Sequence, residues 1–425
     1  MYALVNAVVR VLKKIVPEPV VRAFRPLYHR ALALLMALSY GFPARKLTVI
    51  GVTGTKGKST VAEMLFAILR ATGHKTALLS TIRFAVEDES EPNRYKMTLP
   101  GRGFAQQHMR RALNAGCTHF VIELTSESVL QYRTLFLSLD GLIVTNIQKE
   151  HIESHGSFEN YIAAKRAIVA ALERSRKPSR ILVANEDVPE SRAFLSASVS
   201  KAIGFGEREL GRLSGDEQSV AFEYAGTPFS LPLPGEFNAL NALAAIKLCE
   251  AFGIPASAAA DALAKLPPVR GRAERIDAGQ DFIAIVDYAH TPDSLKALYS
   301  AFPRHRKICV LGNTGGGRDT WKRPEMGRIA DETCDKVILT NEDPYDEDPV
   351  VIVEAMAAGM KRTPDIIMDR REAIRAALRA ARSGDAVLIS GKGTDPFIMG
   401  PKGTRLPWDD ATVVREELGR LLAEV

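Results

Sequence analysis

The most constraining feature of the sequence is a glycine-rich turn between an apolar run and a helix-forming stretch. The turn, Gly51-Val-Thr-Gly-Thr-Lys-Gly-Lys-Ser-Thr60, follows Leu47–Val52 and leads into Ser59–Ala71. Glycines let backbone N–H groups close around phosphate oxygens, and a helix N-terminus adds positive potential. Lys58 can reach the outer phosphates of a nucleotide, and the Ser59 hydroxyl suits Mg²⁺. We therefore predict a nucleotide-binding loop, formed by Gly54, Thr55, Gly57, Lys58, Ser59 and Thr60.

Around this turn, short apolar runs alternate with helix-forming stretches, which is typical of parallel α/β sheets. The predicted strands are Leu47–Val52, Thr76–Leu79, His119–Leu124, Gly141–Thr145, Arg180–Ala184, Phe282–Val286, Ile308–Gly312, Lys336–Thr340 and Ala386–Ser390. Residues 206–232 are polar and β-rich, which predicts an insertion. Prolines and a glycine interrupt the pattern at 266–271, which predicts a domain boundary. We expect domains at 47–270 and 271–425, after a helical segment at 1–46.

The charge is concentrated at the N-terminus. Residues 1–46 hold eight Lys or Arg and one acid, whereas the whole chain has a net charge of +6. The remainder is close to neutral, which argues against a nucleic-acid-binding surface. An amphipathic pattern from Leu4 to Ile15, prolines at 17 and 19, and an apolar stretch from Leu27 to Tyr40 with Gly41 as its C-cap predict two helices. They form either a hairpin packed on the next domain or a cationic anchor on anionic lipid.

The four cysteines, Cys117, Cys249, Cys309 and Cys334, are far apart in sequence. They form no CxxC pair and no zinc knuckle. Unpaired thiols in a cytosolic protein are the expectation, since no cleavable signal pattern precedes them.

Further polar groups recur at the predicted strand ends. They are Glu123, Asn146, the segment Glu150-His151-Ile-Glu-Ser-His-Gly156, Lys165 in Tyr161-Ile-Ala-Ala-Lys165, Leu233-Pro-Gly-Glu-Phe-Asn238 with Asn241, Gly271-Arg272-Ala-Glu274, Asp287-Tyr-Ala-His-Thr-Pro-Asp293, Gly315-Gly-Gly-Arg318-Asp319 and Gly391-Lys-Gly-Thr-Asp395. Open α/β sheets bind ligands at this edge. Each motif alone is weak, but their order along the chain is specific.

These motifs, with the variant loop in which Val52 replaces a glycine, resemble those of the Mur ligases over nearly all of residues 47–425. The tripeptide-synthetase branch, which adds the third stem-peptide residue, is the most similar. The resemblance implies a central P-loop ATPase domain with a mostly parallel sheet and a C-terminal Rossmann-like α/β domain. It also implies an ATP-dependent ligase that joins an amino acid to a carboxylate of a peptidoglycan-type peptide precursor through an acyl-phosphate, for cell-wall synthesis in the cytoplasm.

The resemblance also assigns roles around ATP. One Mg²⁺ is expected on Glu123 with Ser59 and a second on His151, and Lys58 is expected to neutralise phosphate charge. The family's lysine at position 165 is carbamylated, which would make Lys165 an anionic oxygen donor for Mg²⁺; an unmodified Lys165 that contacts phosphate directly is the alternative. Further nucleotide contacts are expected from Asn238, Asn241, Arg272, Asp287 and His290.

For the substrates, the resemblance assigns Ser126, Gln131 and Arg133 to the carboxylate precursor and Arg318 to the amino acid's carboxylate. Asp319 and Lys322 either belong to that site or form a surface pair. The family's DNPR is Glu342-Asp343-Pro344-Tyr345 here. Its acidic pair, with Gly391 and Asp395, favours a cationic side chain, so lysine or diaminopimelate is expected.

Two departures leave other functions open. Met97-Thr98-Leu99 and Glu127 differ from the family's precursor motifs, and about 46 residues before the loop leave no room for the usual uridine-nucleotide domain. The precursor is then held differently, or is presented on a lipid carrier at the inner face of the membrane through contacts of residues 1–40. A folylpolyglutamate-synthetase-like ligase and a membrane-associated nucleotide-binding scaffold without catalysis are the alternatives.

Overall fold

The architecture consists of two parallel α/β sheets in series, preceded by a helix. The computed structural model describes residues 18–101, 103–148, 150, 155–317 and 319–424. The predicted helix from Leu4 to Ile15, the candidate ligands His151 and Arg318, and Glu153 lie outside the described residues. The helices are α1 Glu18–Ser39, α2 Lys58–Ala71, α3 Phe104–Asn114, α4 Ser126–Leu130, α5 Phe158–Glu173, α6 Pro189–Arg192, α7 Phe237–Ala251, α8 Ala256–Leu263, α9 Pro292–Ser300, α10 Lys322–Thr333, α11 Pro349–Ala357, α12 Arg370–Ala380 and α13 Asp410–Ala423.

The strands follow the predicted pattern closely. All nine predicted strands are present within one residue at each end. The strands are β1 Thr48–Thr53, β2 Thr76–Leu79, β3 Arg83–Val86, β4 Glu89–Pro92, β5 His119–Glu123, β6 Gly141–Val144, β7 Ile181–Asn185, β8 Lys201–Phe205, β9 Gly211–Gly215, β10 Val220–Tyr224, β11 Thr227–Leu231, β12 Glu274–Ile276, β13 Ile283–Asp287, β14 Lys307–Leu311, β15 Lys336–Leu339, β16 Asp365–Ile366, β17 Ala386–Ser390, β18 Phe397–Met399 and β19 Arg405–Pro407.

The first sheet has the strand order β4-β3-β2-β5-β1-β6-β7-β8, in which only the β2–β3 and β3–β4 pairs are antiparallel. Its central strands are buried on both faces, with α2, α7 and α8 packed on one side and α3 and α5 on the other. Strand β1 lies between β5 and β6, where the direction of the connections reverses. Such a switch point opens a crevice at the carboxyl ends of the strands.

The second sheet has the order β12-β13-β17-β14-β15-β16, parallel except for β12–β13. Apolar side chains cover both of its faces, as expected for a Rossmann-like unit. Together the two sheets confirm the predicted fold class. Irregular backbone at 266–273 connects them. The domain limits at 270 and 271 fall in this connection and stay a prediction.

The predicted β-rich insertion is the antiparallel sheet β9–β10–β11. Phe222 and Phe229 face each other across β10 and β11 and stack with ring centroids 5.0 Å apart. This apolar pair anchors the small sheet against the core of the first sheet.

The helix before the first sheet begins at Glu18, nine residues earlier than the predicted apolar stretch. Pro19 lies in its first turn, where a missing N–H costs nothing. At the other end Gly41 has φ +64°, and Phe42 N–H donates to Ala37 O at 2.8 Å, which confirms the predicted glycine cap. In the described part of the chain, no helix has the length and apolar character needed to cross a bilayer.

The expectation of unpaired thiols is wrong for two of the four cysteines. Cys309 in β14 and Cys334 after α10 form a disulfide, whereas Cys117 and Cys249 are free and buried. Sequence spacing could not indicate this pair because packing of α10 on the second sheet brings the two side chains together.

Candidate active site

The glycine-rich turn has the shape that its sequence predicts. It connects β1 to α2, and Gly54 and Gly57 have φ of +143° and +79°. A Cβ at Gly54 would overlap the Thr145 hydroxyl, and one at Gly57 would overlap the Asn241 amide oxygen. Only glycine fits both positions, so the loop backbone stays open toward the crevice.

Residues after β6 fasten this loop to the first sheet. Thr145 Oγ1 donates to Lys56 O at 2.5 Å, and Lys56 N–H donates to Asn146 Oδ1 at 2.9 Å. Thr145 and Asn146, which follow β6, therefore hold the loop against the end of the first sheet. The N-terminus of α2 then points its free N–H groups into the crevice.

The loop carries two partly buried lysines. Lys58 Nζ donates to Thr55 O at 2.9 Å and to Gly54 O at 3.1 Å, and Lys56 Nζ lies 3.0 Å from Glu150 Oε1. Burial lowers the pKa of both lysines. A site in which burial opposes positive charge is stabilised by any polyanion that enters it.

Lys165, on α5, lies directly beneath the loop. Its Nζ is 2.8 Å from Gly54 O and 3.2 Å from Thr53 Oγ1, and the residue is 2% exposed. Burial, followed by the charge of Lys58, holds the pKa of Lys165 well below its ordinary value. A neutral amine is the form that reacts with CO₂, so this environment fits a carbamate.

Glu123 ends β5 opposite Val52 of β1 and is fully buried. Its two carboxylate oxygens accept one hydrogen bond each, from the Thr81 N–H and hydroxyl, both at 2.9 Å. Each oxygen keeps a further lone pair for another donor or a metal ion. Together with the Ser59 hydroxyl, this carboxylate is a hard oxygen donor of the type that Mg²⁺ prefers. An unmodified Lys165, which donates hydrogen bonds, does not fit a metal; a carbamate there does.

The second sheet contributes the opposite wall of the crevice. Arg272 Nη2 donates to Ser59 Oγ at 3.2 Å, and its guanidinium lies 4.5 Å above the Tyr288 ring. His290 Nε2 lies 3.0 Å from Glu150 Oε1, the same oxygen that pairs with Lys56. Glu150 therefore joins the loop to the second sheet.

Asp287 and His290 lie at the end of β13. Asp287 accepts hydrogen bonds from Ala273 N–H and Ala289 N–H, both at 2.6 Å, and burial raises its pKa. Burial, followed by the charge of Lys56, lowers the pKa of His290. Both side chains line the crevice on the side opposite the loop.

Two asparagines border the loop at the start of α7. Asn238 Nδ2 donates to Pro234 O at 2.8 Å, and Asn241 Nδ2 donates to Asn238 Oδ1 at 3.0 Å. This chain of amides positions the Asn241 carboxamide beside Gly57. Amides offer a donor and an acceptor together, as adenine recognition needs.

These groups enclose a cavity of about 470 Å³ between the two sheets. Of the predicted site residues, the cavity brings together Thr55, Gly57, Lys58, Ser59, Thr60, Ser126, Arg133, Asn238, Asn241, Arg272, Asp287 and His290. Gly54, Glu123 and Lys165 do not line the cavity: Lys165 contacts Gly54 O beneath the loop, and Glu123 contacts Thr81, which does line it.

The cavity extends from the loop to a polar end near α4. There Arg133 Nη1 donates to Leu99 O at 2.5 Å, and its Nη2 donates to Gln131 Oε1. Ser126 Oγ lies 3.0 Å from His155 Nε2. His155 was not among the predicted site residues, although it stands in the quoted segment that ends at Gly156.

The acidic group predicted for a cationic side chain forms a separate cluster outside the cavity wall. Asp343 lies 3.0 Å from Lys392 Nζ, and Asp395 lies 3.1 Å from the same atom. Lys96, from the loop after β4, pairs with both carboxylates. Although burial opposes it, the charges of Lys392 and Lys96 hold the pKa of Asp343 below its usual value. Sequence reasoning did not single out either lysine.

Glu342 and Gly391 complete this cluster. Glu342 Oε1 accepts a hydrogen bond from Thr314 Oγ1 at 2.9 Å, whereas Oε2 is buried with no hydrogen-bond partner and points at Gly391. Burial, followed by the charge of Asp343, raises the pKa of Glu342. Asp319 and Lys322 nearby are each 5% exposed, so the alternative of a surface pair is wrong for them.

Comparisons with known proteins show the family of the chain. Residues 52–249 match the family model described as Mur ligase middle domain, and residues 271–393 match that of the Mur ligase, glutamate ligase domain. A UDP-N-acetylmuramyl-tripeptide synthetase of Roseiflexus sp. (strain RS-1) is 36% identical, over 96% of this chain and 85% of that protein. A UDP-N-acetylmuramoyl-L-alanyl-D-glutamate--2,6-diaminopimelate ligase of Geobacillus kaustophilus (strain HTA426) is 35% identical, over 91% and 82%.

Solved structures extend the comparison to the fold. A structure of a UDP-N-acetylmuramoyl-L-alanyl-D-glutamate--2,6-diaminopimelate ligase is similar with a TM-score of 0.60 and 26% identity, over 88% of this chain and 79% of that one. The Mycobacterium tuberculosis folylpolyglutamate synthase complexed with ADP has a TM-score of 0.69 at 18% identity, over 92% and 94%. At that identity the second likeness concerns the fold alone.

The loop geometry makes a prediction about nucleotide binding. In Gly57→Ala the new methyl group overlaps Asn241, so we expect affinity for ATP with Mg²⁺ to fall by about tenfold or more, which corresponds to at least ~1.4 kcal/mol. Isothermal titration calorimetry measures the change.

Gly73→Ala is the matched control, because Gly73 has φ +85° with no atom near its Cβ position. Both alanines carry a backbone cost of roughly 1–2 kcal/mol, so both lower the thermal unfolding midpoint. Equal nucleotide affinity in the two variants would contradict the role given to the loop.

Proposed function

Because the chain belongs to the Mur ligase family, we propose that it is an ATP-dependent ligase that joins an amino acid to a carboxylate of a peptidoglycan-type peptide precursor. The observation that carries this proposal is the cavity between the sheets, where a cationic phosphate loop and Arg272 face each other. The same cavity continues to Arg133 and Ser126, which suits a carboxylate acceptor beside the terminal phosphate.

In the first step, an acceptor carboxylate oxygen attacks the γ-phosphorus of ATP, and ADP leaves with the electrons of the broken P–O bond. The product is an acyl-phosphate. Lys58, Arg272 and the N-terminus of α2 surround the position of the transferred group and offset the charge that develops on it. The protein's contribution is alignment of the carboxylate with the phosphate, since Arg133 and the loop lie in one cavity.

In the second step, the neutral amine of the amino acid attacks the acyl carbon. The C–O bond to phosphate breaks, inorganic phosphate leaves, and the nitrogen loses a proton as the amide forms. A carboxylate alone has a poor leaving group, whereas phosphate is a good one, which is why the reaction needs ATP.

We place Mg²⁺ on Ser59 and Glu123, and a second ion on His151 with the carbamate of Lys165. Bound Mg²⁺ supplies positive charge that neutralises the phosphate oxygens. The support for a carbamate is the position of Lys165, fully buried beneath the loop, where burial and the nearby charge of Lys58 lower its pKa and favour the neutral amine. An unmodified Lys165 that contacts phosphate remains the alternative, and isotopically labelled bicarbonate separates the two because only a carbamate gives a bound carbon signal by NMR.

For the amino acid we propose a diamino acid, lysine or diaminopimelate, oriented by Arg318 through its carboxylate. Support comes from the three carboxyl groups of Glu342, Asp343 and Asp395, gathered near the loop that contains Arg318. Tyr345 replaces the arginine of the family motif and so removes a partner for a second carboxylate, which favours lysine.

The two alternative functions have weaker support. Relatives at 34–36% identity over most of the chain are named as muropeptide ligases, whereas likeness to folylpolyglutamate synthase is at 18% identity. A scaffold without catalysis does not explain why Lys58, Lys165 and Glu123 converge on one loop.

We also propose that the enzyme works in the cytoplasm at the inner face of the membrane, through α1. Phe24, Leu27, Leu34, Leu35 and Leu38 share one face of α1 and are 42–64% exposed. The opposite face packs on the protein through Met36 and Ala37. A helix that buries one apolar face and exposes another needs a second apolar environment.

The occupant we assign to this face is an anionic lipid bilayer, because the segment before residue 47 carries a strong excess of positive charge. The helix also lies at the acceptor end of the cavity, since the Arg30 guanidinium is 4.8 Å above the ring of Tyr132, between Gln131 and Arg133. A lipid-linked muropeptide would then reach the cavity from the membrane surface.

The catalytic proposal predicts the behaviour of two variants. In Lys165→Ala and Glu123→Ala, release of ADP stimulated by lysine and a muropeptide acceptor falls by about 10²-fold or more, because transition-state charge loses its partners. A coupled ADP assay with mass spectrometry of the product measures this.

Lys265→Ala changes an exposed lysine that does not line the cavity, so it is the control and keeps wild-type turnover. Near-normal turnover in both Lys165→Ala and Glu123→Ala would refute the metal assignment. Absence of stimulated ADP release in the wild-type protein with every amino acid and acceptor would refute the ligase itself.

The membrane proposal predicts the outcome of a vesicle-pelleting assay. Changing Leu27, Leu34 and Leu38 together to Gln lowers partitioning onto anionic vesicles by about 100-fold or more, since each leucine contributes roughly 1.5 kcal/mol when buried. A control triple variant changes Val351, Leu406 and Leu422, which are comparably exposed elsewhere. Equal pelleting of the wild-type protein, both variants and a deletion of residues 1–40 would exclude the membrane.

A further inference from the structure

Lys96 occupies a complete ammonium-binding site. Its Nζ lies 2.5 Å from Asp343 Oδ2, 3.3 Å from Asp395 Oδ2 and 3.3 Å from Phe397 O. Two carboxylates and one carbonyl match the three N–H donors of an ammonium group. The buried Lys392 Nζ donates to the same three groups, so the site holds two ammonium groups side by side, and Lys96 is the one that lines the cavity.

The ammonium group of Lys96 takes its polar contacts from the acidic site. Lys96 has φ +51°, a left-handed conformation that L-residues rarely adopt. The loop itself is fastened by Asn93, whose amide donates to Ser80 O and Met97 O. Within this loop the Lys96 side chain is 18% exposed, and ion pairs with Asp343 and Asp395 keep it inserted.

Lys96 also connects the two sheet units. It belongs to the segment after β4 in the first sheet, whereas its three partners follow β15 and β17 in the second. On its other side, Lys96 lines the cavity that holds the phosphate loop. The lysine thus separates that cavity from the acidic cluster, and a ligand in the cavity lies next to it.

We propose that Lys96 is an internal occupant of the subsite for the distal ammonium of the incoming amino acid, and that a diamino acid displaces it. This inference rests on the proposed function and deepens it by adding a residue that sets specificity. Replacement of one ammonium by another leaves the local charge unchanged. An amino acid with a neutral side chain offers nothing to Asp343 and Asp395, so Lys96 stays in place against it.

The remaining carboxylate of the cluster excludes the opposite charge. Glu342 Oε2 is buried without a hydrogen-bond partner, and Lys392 is already shared between Asp343 and Asp395. An acidic side chain would meet an uncompensated carboxyl group here. The cluster therefore selects for a cationic side chain. Because Lys96 competes for the same carboxylates, only a ligand that binds them more tightly than Lys96 can displace it.

The test compares lysine with norleucine, which has the same four-carbon side chain without the distal amine. Binding to the full chain in the presence of ADP is measured by calorimetry for the wild-type protein, Lys96→Met and Lys96→Gln. We expect both variants to bind lysine about tenfold more tightly, because the internal competitor is gone, with norleucine affinity unchanged. Circular dichroism measures whether each variant is folded, and the affinities of the folded variants are compared with those of the wild-type protein.

Arg94→Met is the matched control. Arg94 is exposed and lies two residues before Lys96, so this substitution removes one positive charge without changing the acidic site. We expect it to leave the affinity for both amino acids unchanged. Unchanged or weaker lysine binding in the folded Lys96 variants would overturn the inference, as would an equal change for norleucine. Calorimetry measures amino-acid binding and the ADP-release assay measures the ligase reaction. A failure of this inference is therefore distinguished from a failure of the proposed function.

Discussion

The structure depends on partly buried lysine side chains at the carboxyl end of β1. Lys56 and Lys58 lie in the glycine-rich loop with the fully buried amine of Lys165 beneath it, and burial lowers the pKa of all three. The carboxylates near them, Glu150 and Glu123, compensate this charge in part. Removal of cations from water is costly unless an anion accompanies them, so the loop is electrostatically incomplete until a polyphosphate enters. The arrangement of charged groups around the loop therefore favours binding of a nucleotide.

Both sheets contribute groups to this nucleotide site. The first sheet provides the loop, and its register fixes Glu123 opposite Val52. The second sheet provides Arg272 on Ser59 and His290 on Glu150. Because the groups around the loop come from both sheets, the site is complete only where the two sheets meet. Lys96 forms a second contact between the two units through its ion pairs with Asp343 and Asp395. In our proposal, binding of the amino acid breaks these ion pairs.

Local sequence patterns predicted most of this arrangement. The strands and the loop follow from apolar periodicity and from glycines that no other residue can replace, whereas the roles expected for the motifs at the strand ends came from their resemblance to the Mur ligases. What the sequence could not indicate are pairings between distant segments. Lys96 meets Asp343 across 247 positions, and the disulfide of Cys309 with Cys334 forms because a helix packs on a sheet. The acidic stretch at 342–343 therefore looked like an open site for a cation, whereas the fold supplies Lys96 and Lys392 to it.

The central claim is that a carboxylate is activated by phosphate in the cavity between the two sheets. The most direct measurement uses an acceptor whose carboxyl group is labelled with heavy oxygen, incubated with ATP, Mg²⁺ and lysine. An acyl-phosphate route transfers one labelled oxygen from the acceptor into the released inorganic phosphate, which mass spectrometry detects. Amide formation with unlabelled phosphate, or release of AMP in place of ADP, would contradict the account.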